Sequence, residues 1–219
     1  MTLYILICFY VMARSITPKA KMCRRFGENL FGPEKYATIL ARKPYRPGVH
    51  GKGRVSPQGG SEFGKQLLMK QKVKIIYGVM EKQFRKYFEE IKKKQGVTGD
   101  LLMQKLETRL DNVVYRLGFA TTRAQARQLV SHKFFTVNGK AVNIPSYNVA
   151  VGDEIAVYEN KKEKTYLKNQ AVFLKDDKGV PSWLQFDPKK MTGKVLSLPQ
   201  KDDVEHNVDL QLIIEFYSK

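Results

Sequence analysis

LETRLDNVVYRLGFATTRAQARQLVSHKFFTVNG, residues 106–139, decides how the rest of the chain is read. Its apolar residues Leu106, Leu110, Val113, Val114 and Leu117 recur at three- and four-residue spacing, which sets them on one face of a helix. Gly118 follows the last of them, where a helix closes through a left-handed residue. Thr122-Arg123-Ala124-Gln125 has the spacing of a capping box and opens a second helix through Val130. Val137-Asn138-Gly139-Lys140 then reads as a hairpin, because Asn and Gly tolerate the two positive φ angles of a type I′ turn. On these helices Arg109 and Arg116 stand two turns apart on one stripe, and Arg123 and Arg127 one turn apart on another. With the two helices joined by a tight turn, both stripes fall on one side, a surface suited to phosphate rather than to catalysis.

Charge is distributed to match. The 219 residues carry a formal net charge of +18. Residues 12–95 hold 21 Lys/Arg against 6 Asp/Glu, residues 96–219 hold 18 against 15, and within the latter residues 105–140 hold 7 against 2. Such a chain repels itself unless a polyanion neutralises it, which points to nucleic acid; a merely soluble basic protein is the plainer alternative. Two cysteines, Cys8 and Cys23, and three histidines exclude a disulfide scaffold and leave too few soft ligands for an ordinary structural zinc site. No P-loop or dinucleotide motif is present, since Gly59-Gly60 lies in a loop without the strand-to-helix setting those motifs need. The histidines are far apart and none adjoins a nucleophile motif. An enzyme is therefore not expected, nor any cofactor, metal, membrane or small-molecule substrate.

Along the chain, residues 1–11 are apolar and uncharged but shorter than the roughly 20 residues a membrane span needs. They lack the marks of a signal peptide and are expected to be an extension or the product of a start upstream of Met12. Residues 12–42 form a basic N-terminal region. Residues 43–64 hold six glycines, three prolines and four basic residues, too little to bury a core; they are either a passive linker or a basic strand that orders on RNA. Residues 65–94 read as one long helix, with Ile76, Met80, Phe84, Tyr87, Phe88 and Ile91 as its apolar stripe and Gly78 hinting at a break. Residues 95–99 mark a joint. Phe135 to Tyr158 is rich in strand signals, and Trp183 reads as an anchor closing that sheet. Residues 208–217 fit either a strand or a helix.

Arg109 to Phe119 (RLDNVVYRLGF), Thr122 to Lys133 (TRAQARQLVSHK) and Val137-Asn138-Gly139 together resemble the S-four RNA-binding domain. Outside that motif, Arg46 to Gly51 (RPGVHG) and Gln71 to Arg85 (QKVKIIYGVMEKQFR) resemble the bacterial-type small-subunit ribosomal members of the family. Those two segments separate this reading from its rival, an RNA-modifying enzyme or stress-response RNA chaperone carrying the same domain. The resemblance implies an α+β fold: an all-helical domain over 65–104, completed by 191–219 with a terminal helix, into which a small RNA-binding domain over 105–190 (core motif 109–169) is inserted. That inserted part is expected to set two to three helices on an antiparallel sheet, behind a flexible basic N-terminal region. Cys23 resembles part of a four-cysteine module found in some members, but Ala20 occupies the place of its partner, so it is expected to be either a remnant of that module or a free thiol.

The implied partners are small-subunit ribosomal RNA at a 5′-domain helix junction, neighbouring small-subunit proteins and messenger RNA near its path into the ribosome. The implied roles are early subunit assembly and an influence on translational accuracy, in the cytoplasm. The residues expected to bind RNA are Arg109, Asn112, Arg116, Arg123, Arg127, Ser131, His132, Lys133 and Lys140 in the motif. Before it they are Arg14, Lys19, Lys21, Arg24, Arg25, Arg46, His50, Lys52, Arg54, Lys70, Lys72, Lys74 and Arg85. Asp111 is expected to orient a neighbouring arginine, and His132 is equally readable as a structural histidine.

Overall fold

Two prolines start the helices that open the described part of the chain, because a fixed φ near −65° already suits helix entry. In the computed structural model, which describes residues 17–52, 60–167, 180–188, 190–200, 203 and 208–218, Pro18 precedes α1 (Lys19–Phe26) and Pro33 precedes α2 (Glu34–Arg42). A short 3₁₀ turn, Val49–Lys52, follows. Next come α3 (Glu62–Ile76), α4 (Glu81–Lys92) and α5 (Thr98–Glu107). The single helix expected over 65–94 is therefore two. Gly78, at φ +62°, takes the left-handed position after α3: its N–H donates to the Ile75 carbonyl (3.2 Å) and the Val79 N–H to the Lys74 carbonyl (3.0 Å). This pair of bonds satisfies the last carbonyls of α3 and turns the chain.

The helix expected from Leu106 to Leu117 is also broken. Arg109 is extended (φ −67°, ψ 136°) and bridges Asn148, and α6 (Leu110–Arg116) starts after it. The cause lies in a distant loop, around Pro145 and Tyr147. The Leu110 N–H donates to the Tyr147 carbonyl (2.8 Å) and the Asp111 N–H to the Pro145 carbonyl (3.1 Å), so the first donors of α6 are satisfied by that loop. Gly118, at φ +81°, follows α6. The next helix, α7 (Arg123–Ser131), is capped by the Thr122 hydroxyl, which accepts from the Gln125 N–H (3.2 Å). In return the Gln125 side-chain oxygen Oε1 accepts from the Thr121 N–H (3.1 Å), closing the box one residue early.

The sheet holds β1 (Phe135–Val137), β2 (Lys140–Val142), β3 (Glu154–Val157), β4 (Leu184–Asp187) and β5 (Thr192–Val195), ordered β2-β1-β3-β5-β4 with every neighbouring pair antiparallel. Val137 pairs with Lys140 across Asn138 and Gly139, whose φ values of 48° and 78° make the hairpin turn. A one-turn helix, α8 (Glu159–Lys162), follows β3. Leu110, Val113, Val114 and Leu117 of the first helix and Ala126 and Val130 of the second form one core with Phe135, Ile155 and Trp183. The architecture is α+β.

The terminal segment is a helix, α9 (Leu210–Ser218), lying along α3 and touching α5. Ile213 is buried in the helical core with Val73, Ile76, Phe84, Phe88, Leu102 and Leu106. The Tyr217 ring stacks on Phe88 at 4.7 Å, and the Gln66 amide donates to Glu215 (2.9 Å). These contacts return the last turns of the chain to the first core.

A Cβ added at Gly78 would meet nothing within 4 Å, so glycine serves conformation there and not space. Gly78→Ala should lower stability in urea unfolding by about 1 kcal/mol, the left-handed penalty for an L-residue. An alanine variant as stable as the parent contradicts the assigned turn.

Candidate nucleic-acid interface

Where the two cores meet, the contacts are polar and buried. Glu107, the last residue of α5, is 0% exposed. Its carboxylate accepts from Arg116 Nε (3.0 Å) and Nη2 (2.9 Å), from Asn112 Nδ2 (2.7 Å) and from the Tyr77 hydroxyl. Burial alone would raise its pKa, but the hydrogen bonds and charge of Arg116, the Tyr77 hydroxyl and the Arg123 charge hold it below the usual carboxylate range. Burial and the Glu107 charge push the Tyr77 hydroxyl well above its usual range, so it stays a donor. A second link parallels the first: Arg109 donates twice to Asp111 (3.1 and 2.8 Å) and once to the Tyr87 hydroxyl on α4 (2.7 Å). Removing one partner of such a buried ion pair costs about 3–5 kcal/mol, because the other is left charged and dry.

These contacts revise the expected RNA ligands. Arg109, Asn112 and Arg116 are buried in the joint, at 2, 2 and 5% exposure. Asp111 does orient a neighbouring arginine, Arg109. Lys70 and Lys72 are buried too: Lys70 pairs with Glu81 (2.7 Å) beneath the Phe216 ring, and Lys72 pairs with Glu28 (2.8 Å). Arg24 folds the basic loop onto α1, donating to the carbonyls of Tyr45 (3.1 Å) and Arg46 (3.3 Å) while its guanidinium covers the Tyr45 ring. Arg85 is exposed beside Glu89, and Ser131 donates back to the Arg127 carbonyl. Arg14 and Arg54 lie outside the described residues, and of His50 and Lys52 the backbone alone is described.

Part of the remaining basic set converges. Lys19 and Lys74 on the helical side and Arg123, Arg127, Ser131 and His132 on the other line one cleft of about 850 Å³, floored by Tyr77 and Gly78. Arg123 is held by Asn112 Oδ1 (2.8 Å), with its guanidinium over the Tyr115 ring at 4.4 Å; Arg127 donates to the Gly78 carbonyl (3.2 Å). Lys74 pairs with Glu81 (3.0 Å) at the rim. Burial and the charge of Lys35 lower the Lys19 pKa, a penalty that a bound anion would relieve. The first residues of α7 also line the cleft, so the positive end of that helix faces it. Lys21, Arg25, Lys133 and Lys140 are exposed, and Arg46 is half-buried.

Sequence reading missed Glu107 and Tyr77. Their signal was faint: an acid one residue after a core leucine and nine before an arginine. Among the described residues, no group of three or more His, Cys, Asp or Glu is placed to hold a metal ion. Burial raises the Cys23 thiol, so it stays protonated. No described helix is long and apolar enough to cross a membrane.

Two family models match the chain: "Ribosomal protein S4/S9 N-terminal domain" over residues 14–107 and "S4 domain" over residues 108–155. Their boundary falls at Glu107. Similar proteins include "Small ribosomal subunit protein uS4" of Amoebophilus asiaticus, 51% identical over 208 residues, which span 95% of this chain and all of that protein. Those of Ruminiclostridium cellulolyticum and Roseiflexus castenholzii are each 49% identical, over 212 and 210 residues, again spanning 95% of this chain and all of each relative.

Acid should test the joint. Glu107 and Glu81 are both held below the ordinary carboxylate value of 4.5, Glu81 because hydrogen bonds from Lys70, Lys74 and Tyr217 outweigh its burial. Their contribution is complete above that value and is lost as pH falls through the lowered ones. The melting temperature should therefore drop on acidification below pH 4.5, and drop less steeply in Glu107→Gln. Parallel acid profiles for parent and variant contradict the assignment.

Proposed function

The chain belongs to the uS4 family of small ribosomal subunit proteins, and from that premise we propose that it clamps ribosomal RNA where helices converge, using the cleft between its two cores. It is a structural constituent of the small subunit that binds ribosomal RNA, not an enzyme, and it works in the ribosome in the cytoplasm. The rival reading as an RNA-modifying enzyme or RNA chaperone is not favoured, because the ribosomal relatives align over their whole length.

One observation carries the cleft reading: basic residues of both cores line a single cleft. A-form RNA hides its base edges in a deep, narrow groove, so shape and phosphates are what a protein meets. Arg123, at the positive end of α7, and Arg127, one turn further on, suit phosphate contacts. Of the basic residues of α1, Lys19 faces the cleft, while Lys21 and Arg25 are exposed on other sides of the helix; His132, Lys133 and Lys140 extend the surface toward the β1–β2 hairpin. The buried arginines act behind this surface rather than on it.

Within the subunit, the family supports a place at a 5′-domain helix junction, an early role in assembly, an influence on decoding accuracy and a position near incoming messenger RNA. Contact with a neighbouring ribosomal protein is supported by exposed Ile144, Tyr147, Val151, Leu196 and Leu198. Their loops are tied together by the Gly152 N–H to Val195 carbonyl bond (2.9 Å).

The test is a salt titration of binding to a 5′-domain RNA fragment. Lys19→Gln and Lys133→Gln should each weaken binding and flatten the log–log salt dependence, on the order of 0.7–0.9 for each phosphate no longer neutralised. Unchanged slopes in both variants remove this surface from the RNA. Stoichiometric retention in small subunits after a high-salt wash tests the wider assignment.

A further inference from the structure

We propose that Glu107 is a positioning residue for RNA binding: it fixes the angle between the two cores and the placement of Arg123, so that both basic walls of the cleft meet RNA in register. The proposal rests on the RNA-binding reading above and adds to it a residue that touches no RNA.

The geometry argues for positioning over simple stabilisation. A carboxylate has about four lone-pair sites, and all are occupied here. Tyr77 and Arg116 Nη2 donate to Oε1, Asn112 and Arg116 Nε to Oε2. Tyr77 and Glu107 belong to the helical core side; Asn112 and Arg116 belong to α6 on the other. Any rotation of one core against the other strains several charge-assisted bonds together, because the arginine fork accepts one orientation. Buried ion pairs seldom add net stability over an apolar core of equal volume. Direction is what this one supplies.

The network then reaches the cleft. With its Nδ2 donating to the Glu107 carboxylate and to the Glu107 carbonyl (2.9 Å), the Asn112 amide has one way to face. Its Oδ1 must point at Arg123 Nε, and does at 2.8 Å. Glu107 therefore sets the guanidinium that lines the cleft through one intervening amide. The links from Arg109 to Tyr87 and from Arg127 to Gly78 remain when Glu107 is altered, so the cores stay attached but lose a fixed angle. Binding that must first restore that angle is weaker at every salt concentration, with the same phosphates neutralised.

The test uses the full chain, a 5′-domain RNA fragment and a KCl series. Glu107→Gln should weaken binding on the order of ten-fold with its salt slope unchanged, since preorganisation is removed while the same phosphates are still met. Tyr77→Phe keeps the ring and removes one hydrogen bond; it should fold and lose several-fold affinity, again with the slope unchanged. It decides the matter alone if Glu107→Gln does not fold. Parental affinity in the folded variants overturns the proposal, and so does a flattened slope, which would mean that fewer phosphates are neutralised. Binding by the unsubstituted chain in the same titration tests the RNA reading separately.

Discussion

A carboxylate taken out of water must be met by hydrogen bonds and opposite charge, or it takes up a proton. Glu107 is met on all sides, and its donors come from the α3–α4 turn and from α6. That requirement dictates much of the surrounding fold. The turn at Gly78 has to bring Tyr77 inward. The break before α6 aims Arg116 and Asn112 back toward the end of α5. Had Leu106 to Leu117 formed one straight helix, Glu107 and Arg116 would lie over two turns apart along its axis, too far for a two-pronged contact.

Features governed by neighbours in sequence were legible in advance. The turn at Asn138-Gly139, the cap at Thr122 and the left-handed Gly118 each depend on a few adjacent residues, and each stands where the spacing puts it. The two helix breaks were less so. Gly78 gave a hint because glycine is rarely idle within a helix, whereas the break at Arg109 is produced by carbonyls at Pro145 and Tyr147, which no local pattern announces. The terminal segment fitted two periods equally, and packing against α3 chose between them.

Charge was the least legible property. An arginine that grips phosphate and one that closes a buried ion pair look alike in sequence, and so do a lysine facing solvent and one lying under an aromatic ring. Arg109 and Arg116 were expected on a basic stripe, but their partners Tyr87 and Glu107 lie in other elements. Lys70 and Lys72 lie within the helical core, Lys70 roofed by the aromatic rings of α9. The lesson concerns division of labour. Some arginines are engaged in ion pairs at the joint, while basic residues on α1, α4 and the loop after α7 stay exposed.

The central claim is that a buried polar joint makes two hydrophobic cores behave as one body. Calorimetric melting of the full chain tests it most directly. A joint of this kind predicts a single transition whose calorimetric and van't Hoff enthalpies agree. Two resolved transitions, or a calorimetric enthalpy well above the van't Hoff value, would mean that the helical and sheet cores unfold independently, and would contradict the account.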